Sequence, residues 1–264
     1  MQRDSFVRTL LVATILCVAC SVIVSSAAVL LRPLQDANKK LDQQRNVLIA
    51  AGVDVESMAA EDVVGFFEDE TKVKRILVDL STGEPVDVET TAIDPAVYDP
   101  KKAAKSTALS QPVSTEGPTL GISRREKYAF VYQFLQDENV DLHVLPIYGK
   151  GLWSTLYGFL ALDSDTRTVR GITFYEHKET PGLGGEVDNQ EWKDLWPNKL
   201  VFDESWNVDF QIIKGQVNPE AVHASHEVDG LSGATITSRG VSNSIQYWLG
   251  NDGFGKYLEK QRDK

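Results

Sequence analysis

The stretch Asp229-Gly230-Leu231-Ser232-Gly233-Ala234-Thr235-Ile236-Thr237-Ser238 stands immediately ahead of the clearest short helix in the chain. That helix is predicted from Ser238 to Leu249, where Val241, Ser244, Ile245, Trp248 and Leu249 share one face and Gly250 supplies the stop. Three hydroxyls, on Ser232, Thr235 and Thr237, flank the small residues Gly233 and Ala234, so a bulky phosphorylated ligand can approach the backbone without steric penalty. Unpaired N–H groups and the positive dipole end of the following helix favour a phosphate there. A phosphoester on Thr235 would sit in that field. The same residues also describe an ordinary capping turn with Ser238 or Thr237 as N-cap, and taken alone they favour that plainer reading.

Working upstream, Tyr175 to Glu186 reads YEHKETPGLGGE. A Pro-Gly turn between strand and helix accounts for Pro181 and Gly182, but not for the presence of both motifs in one chain. Before it, Leu152 to Leu162 places Trp153, Thr155, Tyr157 and Phe159 on one face of a strand. Val169 to His177 reads as a second strand, joined to the first through the polar turn Asp163 to Thr166, and the two predict a hairpin. After it, Gly184 to Trp196 carries Val187, Trp192, Leu195 and Trp196 at helical spacing, with Pro197 as a stop. The expected fold class is α+β.

From Thr9 to Leu31 the chain runs 23 residues without a charge. As a helix this segment would reach roughly 35 Å, enough for a bilayer core of about 30 Å. It is read as a single transmembrane helix. A cleaved signal would have a shorter apolar core, and Cys17 stands where a lipidation site at Cys20 wants a branched aliphatic. Arg3 and Arg8 precede the span while Arg32, Lys39, Lys40 and Arg45 follow it, a balance leaning mildly toward a cytoplasmic body. Long domains cross membranes largely regardless of such charges, so the residues leave sidedness open. The expected organisation is a tail (1–8), the span (9–31), a stalk helix with an acidic and Pro-rich α+β region (32–139), a domain (140–257) and a tail (258–264). The stalk helix is predicted from Asp36 to about Val53, with Leu41, Val47, Leu48 and Ala51 as its stripe and Gly52 as its stop. Pro95 to Pro118 is expected to be loop.

Composition narrows the function. Twenty-seven Lys and Arg stand against 38 Asp and Glu, a net charge of -11 that repels phosphates, so nucleic acid is excluded as a partner. Both cysteines, Cys17 and Cys20, lie in the apolar segment, leaving the rest of the chain without a thiol ligand. His143, His177, His223 and His226 lack the spaced partners of a metal site, and no metal is predicted; His223 and His226 are expected on the surface beside Glu227. A hydrolase built on Ser232 lacks the Gly-x-Ser-x-Gly elbow.

The pair Glu179-Thr180-Pro181-Gly182-Leu183-Gly184 and Asp229-Gly230-Leu231-Ser232-Gly233-Ala234-Thr235 closely resembles the covalent FMN-binding domain shared by the C subunit of Na+-translocating NADH:quinone reductases and the G subunit of Rnf-type complexes. The single span, Arg45-Asn46-Val47-Leu48 with Ala50-Ala51-Gly52, and Gly149-Lys150-Gly151-Leu152-Trp153-Ser154 resemble the quinone reductase branch. The resemblance implies an electron-transfer subunit, not catalytic alone, carrying FMN esterified through its phosphate to Thr235, with Thr237 second in rank. It implies attachment by a separate flavin transferase using FAD, a bacterial inner-membrane location with the domain on the periplasmic side, and the other subunits of the complex as partners. Ser232, Gly233 and Ala234 would shape the presenting turn. Asp229 would open the motif read by the transferase or form a local Asx turn. Thr180, Gly182, Leu183 and Gly184 would line the isoalloxazine site, with Trp153 beside the ring and Glu179 structural. An Rnf-type ferredoxin:NAD oxidoreductase and a cofactor-free membrane-anchored adaptor are the alternatives.

Overall fold

Residues Phe6–Ala50 form one continuous helix, α1, in the computed structural model, which describes residues 6–91, 93–114 and 117–262. The chain divides into two units, Met1–Asp42 and Gln43–Lys264. In the first, the helix contains an 18-residue window of mean hydropathy 2.5 with no buried residue, and it is long and apolar enough to cross a membrane. Leu10, Ile15, Val22 and Leu30 all stand exposed, as a lipid-facing surface requires. Arg3, in the expected N-terminal tail, lies outside the described residues.

The second unit is built on an antiparallel six-stranded sheet. Its strands are β1 (Val73–Asp79), β2 (Glu84–Pro85), β5 (Tyr128–Gln136), β6 (Asn139–Lys150), β7 (Thr155–Asp163) and β8 (Val169–Glu176), in the order β2-β1-β5-β6-β7-β8. Ser110–Pro112 (β3) pairs with Arg124–Glu126 (β4), and Gln211–Ile212 (β9) runs parallel to Glu227–Val228 (β10). The β7–β8 hairpin predicted from the sequence is present, with Phe159 opposite Thr173 and Leu160 opposite Ile172. Its first strand begins at Thr155, so Leu152, Trp153 and Ser154 lie in the turn ahead of it.

Alternation along the strands gives the sheet two apolar faces. One carries Val131, Leu145, Ile147, Leu160 and Ile172 and is covered by α6 (Thr235–Leu249) through Val241, Ile245, Trp248 and Leu249. The other carries Tyr132, Phe134, Phe159 and Tyr175, packed by Phe66 and Phe67 of α2 (Ala60–Glu68). On that face the last turn of α1 also docks: Thr173 donates to Asn46 Oδ1 at 3.0 Å, and Val47, Leu48 and Ala50 are buried. Helix α6 lies unusually close to β6, because Gly240 and Gly149 have no side chains. A Cβ at Gly240 would fall 2.2 Å from the Lys150 carbonyl oxygen, and one at Gly149 would fall 2.0 Å from Ser244 Oγ.

Several sequence expectations need correction. A division between residues 139 and 140 would cut the start of β6, and β1 and β5 ahead of it belong to the same sheet. The acidic composition of that region hides the inward-facing Val73, Leu77, Val78, Ala129 and Val131. Within the expected loop 95–118 lie a short helix α4 (Pro100–Ala103), capped by the Asp99 side chain, and β3; α3 (Val88–Thr91) precedes them. Residues 115–116 of that loop are outside the described residues. The expected helix Gly184–Trp196 is broken into a 3-10 turn Gly184–Asp188 and a short α5 (Gln190–Lys193), because Asn189 leaves helical geometry to cap the second piece. The expected C-terminal tail is instead helix α7 (Gly255–Arg262), with Tyr257 and Leu258 buried against the core. His226 is tucked in, its Nδ1 2.8 Å from the Asp209 carbonyl oxygen, whereas His223 is exposed.

Candidate functional site

Helix α6 begins at Thr235, three residues earlier than the periodicity indicates. Its N-cap is Ala234, which offers no side-chain acceptor, so neither Thr237 nor Ser238 performs the expected capping. Each is used otherwise. Ser238 Oγ accepts the Leu231 N–H at 3.0 Å, closing the turn that precedes the helix. Thr237 is buried and donates its hydroxyl to Glu179 Oε2 at 2.6 Å. Thr235, in contrast, is exposed at the first position of the helix, together with Ser232 and Gly233.

The turn before the helix is pinned from outside. Asp229 Oδ1 accepts the Val217 N–H at 2.8 Å, and its carbonyl accepts the Trp192 indole N–H at 2.9 Å. Of the two roles open to Asp229, the local Asx turn gives way to bonds from Val217 in the 213–217 loop and from Trp192. Gly230 reinforces them, since a Cβ there would fall 2.3 Å from the Ile213 carbonyl oxygen.

The upstream motif folds over the same helix end. Thr180 is exposed, and its carbonyl accepts the N–H groups of Leu183 and Gly185. Gly182 sits at φ +75 with nothing near the place a Cβ would take. Leu183 reaches across, so that a Cβ at Gly233 would meet its Cδ2 at 2.9 Å. Gly184 is buried against Thr237 and Glu179. Glu179 also accepts the N–H groups of Trp153 at 3.0 Å and Ser154 at 3.1 Å through Oε1, which brings the Gly149–Ser154 segment to the same point. Burial pushes the Glu179 carboxyl up. The Thr237 hydroxyl and the N–H groups of Trp153, Ser154 and Leu152 outweigh it and hold the group below the usual carboxylate range.

Three sequence-distant motifs thus meet, and around them the surface is apolar. Trp153 is 65% exposed, Ile236 56%, Leu152 46% and Leu183 43%. Isolated exposed apolar residues are ordinary, but a group of large ones beside an uncapped helix end is a surface that a planar ring can cover. Trp153 is thereby removed from the core role a strand tryptophan usually has. An open cleft of about 1030 Å³ is lined by Thr235, Ser232, Gly233 and Trp192, with Lys214 and Arg239 as its cations and Glu186, Glu191 and Asp229 as its carboxylates. The residues fit FMN. A phosphate finds an uncapped helix N-terminus, glycines leave backbone room, and apolar side chains await a ring.

Sequence reasoning missed the cleft. Arg239, four residues beyond Thr235, was legible as a helical neighbour. Lys214 carries no local signal, since it reaches the site only through the pairing of β9 with β10.

Comparison with known proteins agrees with this geometry. The profile of the FMN-binding domain matches residues 151–250, which hold all three motifs except the first two residues of the Gly149–Ser154 segment. The C subunit of the Na(+)-translocating NADH-quinone reductase of Pseudomonas aeruginosa is 47% identical over 99% of this chain and 98% of its own length. Its counterpart in Yersinia pestis is 43% identical over 99% of this chain and 95% of its own. The crystal structure of Shewanella oneidensis NqrC superposes with a TM-score of 0.75 at 33% identity, covering 86% of this chain and all 100% of that one. Similarity of this extent, along nearly the whole length of both partners, settles the family: the chain belongs to the NqrC family, the C subunits of the Na(+)-translocating NADH-quinone reductases.

Proposed function

We propose that the chain carries one FMN through a phosphoester on Thr235 and relays electrons between subunits of a sodium-pumping NADH:quinone oxidoreductase. The observation that carries the reading is the contrast between the two threonines. Thr235 is exposed at an uncapped helix start, while Thr237 is buried with its proton committed to Glu179. Attachment from FAD by a flavin transferase would form a bond from Thr235 Oγ to the phosphorus on the riboflavin side, release AMP, and pass the hydroxyl proton to solvent or the transferase. Ser232, Gly233 and Ala234 shape the turn that presents this hydroxyl, and the N–H groups of the first α6 turn stabilise the phosphate charge. Leu183, Gly182, Thr180 and Trp153 border the ring, and Gly184 stands behind them against Thr237 and Glu179. FMN supplies the redox chemistry, while the protein holds it, orients it and sets its electrostatic surroundings. A carrier that is loaded and unloaded between subunits gains from a cofactor that cannot dissociate. The α1 span anchors the chain in a bacterial inner membrane, with the domain on the periplasmic side.

Supporting the quinone reductase reading over an Rnf-type one, the curated relatives that match along the full chain bear the former name. The test is intact mass of protein made alongside a flavin transferase, before and after Thr235→Ala. An FMN-sized increment that persists in the variant refutes the attachment residue, and native protein without any increment leaves the cofactor-free adaptor. Sodium-stimulated NADH oxidation by the purified complex, rather than ferredoxin oxidation, separates the two flavin readings.

A further inference from the structure

Glu179 is 5% exposed, and both of its carboxylate oxygens are filled. Oε1 takes the N–H groups of Trp153 and Ser154; Oε2 takes the Leu152 N–H at 3.2 Å and the Thr237 hydroxyl at 2.6 Å. Among the described residues no cation forms an ion pair with it. A buried carboxylate normally needs such a partner, and here four directed donors take that place. Space for it is made by two glycines from different motifs. A Cβ at Gly151 would fall 2.7 Å from Oε1, and one at Gly184 would fall 2.7 Å from Oε2. Its own N–H is held by His177 Nδ1 at 3.2 Å, and Ser154 Oγ accepts the Lys178 N–H at 2.8 Å, so the segment is fixed on both sides.

We propose that Glu179 is the positioning residue of the Thr235 site: its single carboxylate joins the Leu152–Ser154 turn, the Glu179–Gly184 loop and the start of α6 into one preformed cradle, and it places a fixed negative charge beside whatever the cradle holds. The inference rests on the flavin reading and adds a consequence to it. With the anchor in place, Trp153 and Leu183 stand ready before a ring arrives, and ordering them does not oppose attachment. The charge opposes the addition of electrons nearby and so lowers the reduction potential of a bound flavin.

The experiment uses full-length chain made alongside a flavin transferase, comparing wild type with Glu179→Gln and Thr237→Val. The readouts are covalent attachment by intact mass over time, midpoint potential by spectroelectrochemistry, and thermal unfolding. Glu179→Gln keeps the shape but loses the charge and part of the acceptor capacity. It is expected to slow attachment about tenfold or more and to raise the potential of the flavin that is attached. Thr237→Val removes one donor and leaves the charge, so attachment slows while the potential stays at the wild-type value. Attachment and potential both unchanged in a folded Glu179→Gln protein overturn the proposal. If that variant fails to fold, Thr237→Val decides: wild-type attachment overturns the proposal and slowed attachment supports it. A wild-type chain lacking covalent flavin refutes the preceding reading, and this one falls with it.

Discussion

The Tyr148 hydroxyl donates to Glu126 Oε2 at 2.5 Å in the interior of the second unit, and the neighbouring Arg125 is buried with Tyr247. Burial raises the Glu126 carboxyl to about 7, even though the Tyr148 hydrogen bond and the Arg125 charge both act to lower it. An unfolded glutamate titrates near about 4.3, so between those values the folded state holds a proton that the unfolded state has lost. The contribution of this group to stability is therefore full below the unfolded value, falls as pH rises through the window, and is flat above about 7. Glu126→Gln should abolish that slope. The expected difference between wild type and variant across the window is about 3 kcal/mol, read from urea unfolding at about pH 5 and about pH 8. Parallel curves for the two proteins would rule the effect out.

Gly240→Ala should separate α6 from β6. The new methyl would lie 2.2 Å from the Lys150 carbonyl oxygen, a rigid backbone atom that cannot swing aside. A loss of about 1–3 kcal/mol is expected from such overpacking, with less covalent flavin because the helix start moves with the helix. Denaturant unfolding and intact mass check the two effects together.

Gly184→Ala and Gly182→Ala are expected to differ although only one residue separates them. At Gly184 the methyl would sit 2.5 Å from Thr237 Oγ1 and 2.7 Å from Glu179 Oε2, disrupting the hydrogen bonds that hold the site. At Gly182 the space is open and only the φ of +75 opposes a side chain, a cost of about 1–2 kcal/mol. Flavin attachment should collapse in the first variant and survive in the second.

Trp153→Ala tests whether this indole belongs to the core or to the site. Being largely exposed, it should leave stability within about 0.5 kcal/mol of wild type. The fluorescence and absorbance of the attached flavin should nevertheless change as the ring loses an aromatic neighbour. A destabilised protein with an unaltered flavin spectrum would reverse the assignment.

The apolar span, the β7–β8 hairpin and the buried face of α6 were legible because each is a local periodic pattern: 23 uncharged residues, alternation, and Val241, Ile245 and Trp248 at helical spacing. The membership of β1 and β5 in the same sheet was not, since pairing such as Leu77 with Phe130 joins segments far apart in sequence. At the site, residue types alone favour a capping turn, and Thr235 is singled out only by the resemblance that the two motifs carry together. The start of α6 was misplaced because Thr237 and Ser238 resemble caps while their side chains serve Glu179 and Leu231. The work done by Glu179 was invisible for the same reason, because its partners lie 25 and 58 residues away.

The outward aim of Thr235 has a consequence for maturation. Ala234 before it and Thr237 two residues after it are packed inward, whereas Thr235 itself stands exposed. The folded polypeptide therefore still presents the Thr235 side chain to solvent. If Thr235 is the attachment site proposed above, protein that has finished folding can be charged afterwards.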